Sequence, residues 1–234
     1  MNVFCFIFAR GGSKSIKNKN IIKFNNKPLI ANTILQAKRI KLINKVFVST
    51  DSKRIAKIAK KYGAIIPFLR PKKLATDVSP EYLSWKHAIK NCEKLFKEKI
   101  DIFVSLPTTS PLRKDEDINK SLNFFIKNRS KYDMLVSTTK TNHLPGFNIV
   151  KVLKNGTFKL EGGRNKKLSR RQQVKNIQNL STCFYYANKD YVNKCKQNPL
   201  FTGKKYAYLI DKKNAIDIDD KLDLDLAKYL FKKK

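Results

Sequence analysis

The chain has 234 residues, 41% of them hydrophobic, with only eight Gly and eight Pro. These figures exclude wholesale disorder and collagen-like or low-complexity architectures, and they allow one large domain whose core needs no disulfide or metal staple. Basic residues outnumber acidic ones 51 to 18, a formal charge of +33, which raises nucleic acid as a first partner to weigh.

Strand-like and helix-like segments alternate. Asn2–Ala9 is a continuous apolar run, as in a strand covered on both faces. Pro28–Ile40 reads as a helix opened by Pro, with Ile30, Ile34 and Ala37 on one side. Val46–Ser49 is a second strand. Ser52 is placed to cap a helix carrying Ile55, Ile58, Ala59 and Tyr62, which Gly63 ends. Ala64–Leu69 reads as a strand, Glu81–Phe96 as a helix, Asp101–Leu106 as a strand, Asp115–Lys127 as a helix and Asp133–Thr138 as a strand. This rhythm predicts a doubly wound α/β fold with a mainly parallel sheet and helices on both faces.

The rhythm breaks over about residues 140–182, which hold Pro145-Gly146, a hairpin signal at Asn155-Gly156, Gly162-Gly163 and the basic run Arg164–Arg171. A protruding subdomain is expected there, within a single domain spanning residues 1–234. Cys183–Ala187 resumes a strand, Tyr206–Ile210 adds another, and Asp220–Phe231 closes as an amphipathic helix.

Only nine of the basic residues are Arg, and the Lys is spread through nearly every segment. Surfaces that read bases or clamp phosphates favour the planar fork of Arg. Most of the charge therefore reads as solvated Lys, with nucleic acid disfavoured as a partner, although the field would still attract a nucleoside triphosphate. Cys5, Cys92, Cys183 and Cys195 form no CxxC pair, and His87 and His143 lie far apart, so buried free thiols are expected rather than a zinc site. No apolar run approaches the ~20 residues that span a bilayer. The first charge, Arg10, follows the first apolar run, the reverse of a signal peptide. The expected location is cytoplasmic, with no membrane partner.

Three segments carry candidate chemistry. Ala9-Arg10-Gly11-Gly12-Ser13-Lys14 follows the first strand, where such sheets bind ligands, and its glycines allow close approach to a phosphate while Arg10, Lys14 and Lys19 add charge. The spacing is neither Walker A nor GxGxxG. In Ile216-Asp217-Ile218-Asp219 the carboxylates are two apart, so an extended segment turns both to one side and both Ile to the core. Oxygen ligands of that kind suit Mg²⁺; the alternative is a solvated turn, with Asp220 capping the last helix. Pro107-Thr108-Thr109-Ser110 offers hydroxyls to a polyhydroxylated ligand or simply makes a turn.

Taken together the segments resemble the acylneuraminate cytidylyltransferases, also called CMP-sialic acid synthetases. The resemblance runs from Phe8–Lys14 with Lys19-Asn20, through Val48-Ser49-Thr50-Asp51, Arg70-Pro71 with Leu74-Ala75-Thr76-Asp77, Thr109–Arg113 and Arg171-Gln172-Gln173, to Ile216–Asp219 followed by Leu222-Asp223-Leu224. Order and approximate spacing hold over essentially the whole chain.

The resemblance implies a nucleotide-diphospho-sugar transferase-like, Rossmann-like fold whose small subdomain reaches a second subunit, giving a homodimer. It implies transfer of CMP from CTP to the anomeric hydroxyl of a nine-carbon 2-keto sugar acid, with Mg²⁺ present and pyrophosphate released. Arg10 and Lys19 would be catalytic, steadying charge on the triphosphate. Ala9, Arg10, Gly11, Gly12, Ser13, Lys14, Asn20, Arg70 and Ser79 would bind the nucleotide. Thr108, Thr109, Ser110, Arg171 and Gln172 would bind the sugar, and Asp217 and Asp219 the metal. Capsule or lipopolysaccharide biosynthesis is the family's usual setting.

The chain departs from the family where Pro107 replaces a frequent Gln, where Ser181-Thr182 replace Asn-Gly, where a Lys near Gly146 is missing, and where Ser15 replaces a Gly. The first two lie on the sugar side, so legionaminic, pseudaminic or 3-deoxy-manno-octulosonic acid stand as alternative substrates. A nucleic-acid-binding protein on an α/β scaffold is the alternative from another class.

Overall fold

The computed structural model describes residues 1–162 and 176–233. The elements in chain order are β1 (Val3–Phe8), a small ribbon of β2 (Lys23–Phe24) and β3 (Lys27–Pro28), α1 (Leu29–Arg39), β4 (Lys45–Ser49), α2 (Lys53–Lys61), α3 (Glu81–Phe96), β5 (Ile102–Ser105), α4 (Asp115–Asn128) and β6 (Met134–Lys140). After them come β7 (Val150–Val152), β8 (Phe158–Leu160), β9 (Gln178–Asn188), α5 (Lys189–Lys194), β10 (Lys205–Leu209) and α6 (Lys221–Lys232). The main sheet runs β10-β6-β9-β5-β1-β4.

Alternation along β1 builds both halves of the core. Val3, Cys5 and Ile7 pack with Ile30 and Ile34 of α1, Ile55 and Ala59 of α2, and Leu122 and Phe125 of α4. Phe4 and Phe6 point the other way, onto Trp85, Ala88, Ile89 and Cys92 of α3 and Val192 of α5. Phe6 stacks on Phe103 with centroids 5.3 Å apart, and Trp85 lies 5.1 Å from Phe103. The predicted two-sided, doubly wound sheet is therefore present. All four cysteines are buried free thiols, and burial pushes the Cys5 thiol up to about 12.

β1 pairs in parallel with β4 and β5, and β6 pairs in parallel with β10. β9 is antiparallel to both β5 and β6. The cause is topological. β6 delivers the chain to the edge where β1, β4 and β5 end, the excursion leaves and returns at that edge, and β9 must then run backwards. It thereby carries Ser181, Thr182 and Cys183 to the same edge.

The local signals act as read. Ser52 Oγ accepts from the Ile55 N–H at 3.3 Å, and Gly63 ends α2 with φ of 84°. Asp220 and Asp223 form a reciprocal capping box at the start of α6. Gly156 turns the β7–β8 hairpin with φ of 81°. One element differs. Ala64–Leu69 is not a full strand but a single bridge between Ile65 and Phe47, because Pro67 in its middle has no N–H to give a ladder. The excursion is also shorter at its base, since β6 and β9 pair out to Lys140 and Gln178.

Candidate active site

Three loops leave the sheet at this edge and enclose a cleft of ≈ 550 Å³. The first is fixed at its root. Ala9 N–H donates to Ser49 O at 3.0 Å, and Gly11 N–H donates to the Asp51 carboxylate at 2.9 Å. A Cβ on Gly11 would stand 3.1 Å from Ser52 Cβ, whereas one on Gly12 would meet open space. A side chain at Gly11 would thus press tightly on the cap of α2. Ser13, Lys14, Ser15, Lys19 and Asn20 line the cleft with Arg10, while Ala9, Gly11 and Gly12 are not among the lining residues.

Asn20 joins the first loop to the third. Its Nδ2 donates to Arg10 O at 2.9 Å, and its Oδ1 accepts from the hydroxyl of Thr108, itself 2% exposed. Thr108, Thr109 and Pro107 line the cleft. Ser110 does not: it is fully buried and shares a 3.2 Å hydrogen bond with Thr182, which does line it. Ser181 turns inward to Ser137 at 2.8 Å. Beneath the loop, the buried Arg113 donates to Pro107 O, Cys183 O and Gln36 Oε1, tying the loop to β9.

The second loop supplies Arg70, Ser79, Asp77 and Glu81. Arg70 is 6% exposed, and burial lowers its pKa. The Asp77 carboxylate is held by Lys14 at 2.6 Å and by Arg10, and these bonds lower its pKa. Burial raises the Glu81 carboxyl, with Asp217 adding to the rise and Arg70 opposing it.

The acidic segment closes the cleft. Lys19 Nζ donates to Ile218 O at 2.9 Å and reaches the Asp219 carboxylate at 3.3 Å, and Ser15 Oγ donates to Asp219 O. Ile218 is buried with Phe24, Leu29 and Leu224, and Ile216 packs against them. The inward half of the predicted alternation therefore holds, while Asp217 is not among the residues lining the cleft. Asp219 lines the cleft with its side chain 78% exposed. Asp217 is half-buried, close enough in charge to affect Glu81 and Tyr185, and its Oδ1 is buried with no hydrogen-bond partner.

Among the described residues no group of three or more His, Cys, Asp or Glu side chains forms a metal cage. Two carboxylates, one with an unsatisfied buried oxygen, nevertheless fit Mg²⁺, which takes few protein ligands and fills the remaining positions with water and phosphate. Arg171 and Gln172 lie outside the described residues, as does the basic run Arg164–Arg171. Sequence reasoning gave no role to Asp77, Glu81 or Tyr185. Glu81 follows Pro80 at a helix start, where an acid reads simply as a complement to the helix dipole.

Cationic side chains on a loop after β1, with Asp219 brought to them at the carboxyl edge of a doubly wound sheet, lie where such sheets bind nucleotides. The chain matches the family described as cytidylyltransferase over residues 4–229. It is 34% identical over 233 residues to the post-translational flagellin modification protein B of Campylobacter coli, covering 99% of this chain and 96% of that one. It is 32% identical over 228 residues to the CMP-N,N'-diacetyllegionaminic acid synthase of Campylobacter jejuni, covering 97% and 94%. A solved CMP:2-keto-3-deoxy-manno-octonic acid synthetase complexed with CTP shares the fold at TM-score 0.74 and 14% identity, over 100% of this chain and 99% of that one. This chain belongs to the cytidylyltransferase family.

The buried link between loops gives a direct test. Thr108→Val should leave Asn20 Oδ1 without its donor and cost about 1–3 kcal/mol in urea unfolding. An unchanged unfolding midpoint and slope would show that the Thr108–Asn20 bond does not hold the two loops together.

Proposed function

We propose that the protein transfers CMP from CTP to the anomeric hydroxyl of a nine-carbon 2-keto sugar acid and releases pyrophosphate. The observation that carries this reading is the closure of Lys19 and Ser15 onto Ile218 and Asp219. It brings a cationic loop and the Asp219 carboxylate onto one cleft. The family match and the names of the relatives support the substrate class, among them an N-acylneuraminate cytidylyltransferase of Escherichia coli that is 32% identical over 232 residues, 99% of this chain and 52% of that one.

In the transfer, the sugar oxygen forms a bond to the α-phosphorus, the bond from that phosphorus to the bridging β-phosphate oxygen breaks, and the hydroxyl proton leaves to solvent. Such displacements depend on positioning and charge neutralisation. Arg10 and Lys14 already hold an anion, the Asp77 carboxylate, and a triphosphate oxygen would take that place. Lys19 would steady the negative charge on departing pyrophosphate. The side chains of Asp217 and Asp219 would hold Mg²⁺, which when bound neutralises phosphate charge and acidifies the attacking hydroxyl. Thr109 and Thr182 present hydroxyls to the sugar. At Pro107 the side chain offers the sugar no hydrogen bond.

The excursion fits a homodimer. The β7–β8 ribbon leaves Val152 66% and Phe158 64% exposed, and Leu180 on β9 is 62% exposed. A two-stranded ribbon cannot bury such side chains by itself. A second copy would cover them. No helix among the described residues is long and apolar enough to cross a membrane, and a cytoplasmic setting, where CTP is made, suits the reaction.

Pyrophosphate release from CTP should require both Mg²⁺ and a 2-keto sugar acid. Asp219→Asn should lower kcat/KM by roughly 10²–10³-fold, the scale for losing one preorganised electrostatic group, with thermal melting unchanged; full activity in that variant removes the metal role. Wild-type protein should sediment as a dimer at micromolar concentration and Phe158→Glu as a monomer. A monomeric wild type contradicts the dimer.

A further inference from the structure

The segment after α2 borders a second concave surface, which shares no lining residue with the cleft. Ala64–Leu69 runs beside β4 and meets it through Ile65. The Ile65 N–H donates to Val46 O at 2.9 Å, and Ile65 O accepts from the Val48 N–H at 3.0 Å. Both polar groups of Ile65 are thus spent on β4. In extended backbone the next residue turns its polar groups the other way. The N–H groups of Ile66 and Phe68 make no hydrogen bond among the described residues. An open backbone edge is left there.

Beside that edge lies a groove of ≈ 450 Å³, lined by Ile66, Phe68 and Leu69 from the segment and by Lys53, Lys57 and Lys60 from α2. Leu69 is 44% exposed. Five of the nine residues of α2 are Lys or Arg, and none is acidic. None of the five forms an ion pair among the described residues. Lys53 and Lys57, and again Lys57 and Lys61, stand four apart, where like charges oppose the helix. Elsewhere the scarce acids are matched to bases: Asp115 to Arg39, Glu98 to Lys45 and Glu116 to Lys120.

These features suit one kind of partner. An extended peptide can add to an open strand edge, where main-chain hydrogen bonds hold it and alternate side chains enter a neighbouring groove. Carboxylates on that peptide would answer the uncompensated lysines, and its apolar side chains would cover Ile66, Phe68 and Leu69. A nucleic acid would satisfy the charge but leave the apolar floor uncovered. A flat anionic surface would not follow a concave groove.

We propose that the groove between α2 and residues 66–69 docks an acidic, extended segment of a partner protein. Lys57 and Lys60 supply the charge, Leu69 the apolar contact, and the Ile66 backbone the strand pairing.

Fluorescence anisotropy tests this with a labelled peptide of about ten residues, the length of a long strand, alternating Glu with Val. The titration is run at physiological ionic strength with CTP present to occupy the cationic cleft. The expected result is saturable binding that Lys57→Glu/Lys60→Glu weakens roughly 10-fold or more. Leu69→Ser, and N-methylation of alternate peptide amides, should each weaken it too. Lys228→Glu/Lys232→Glu makes the same charge change on α6 and should leave binding as in wild type. Thermal melting checks that every variant is folded. Absence of binding to wild type overturns the proposal, as does displacement of the peptide by CTP, which would put it in the cleft. Binding unchanged in Lys57→Glu/Lys60→Glu also overturns it and leaves these lysines as guards of a bare edge. An equal loss in the α6 variant assigns the attraction to the overall field. A single-stranded RNA of equal charge that binds as tightly, and is lost in the same α2 variant, makes the face a general polyanion surface and overturns the peptide assignment.

Discussion

The site depends on one contact between segments 200 residues apart: the Lys19 ammonium, seated between Ile218 O and the Asp219 carboxylate. Lys19 belongs to the loop after the first strand. Asp219 sits just before the final helix. The sheet brings them to one edge, and the burial of Ile218 beside Phe24 and Leu29 holds the acidic segment against the first loop. The Lys19 side chain is only 15% exposed while that of Asp219 is 78% exposed, so this is a shielded cation presenting a solvated acid. Removing the Ile218 packing would release the acid from the cleft without altering any charged group.

Electrostatics in the cleft follow from that closure. The chain carries a charge of +33, yet three of its cleft-facing cations are already paired: Arg10 and Lys14 share Asp77, and Lys19 meets Asp219. A polyanion entering the cleft therefore exchanges internal carboxylate contacts for phosphate contacts rather than meeting bare cations. Charge spread across the surface serves capture of such an anion more than its chemistry. The interior uses a different device. Arg113, buried beneath the third loop, is satisfied by carbonyl oxygens and Gln36, which makes it a brace between that loop and β9.

Much of this was legible in the sequence. Continuous apolar runs marked β1 and β5, helical spacing and Ser52 marked α2, and the two-residue spacing of Asp217 and Asp219 gave the correct inward placement of Ile216 and Ile218. What escaped was set by tertiary context. The reversed direction of β9 follows from where the excursion returns, which no local pattern encodes. Pro67 reduces an apolar stretch to one bridge. Gly11 also packs closely against Ser52, a neighbour that the loop's sequence does not announce. Ser110 looked like a ligand hydroxyl, but it is spent on Thr182. Glu81 was hidden because an acid at a helix start has an ordinary structural use.

The account stands or falls on the position of the triphosphate relative to the two ends of the chain. A crystal structure with CTP and Mn²⁺, read by the anomalous signal of the metal, measures it directly. The account predicts manganese bound by the side chains of Asp217 and Asp219 and by triphosphate oxygens, with Arg10 and Lys14 released from Asp77 onto the phosphates. Nucleotide bound away from the first loop, or metal coordinated without either aspartate, would contradict it.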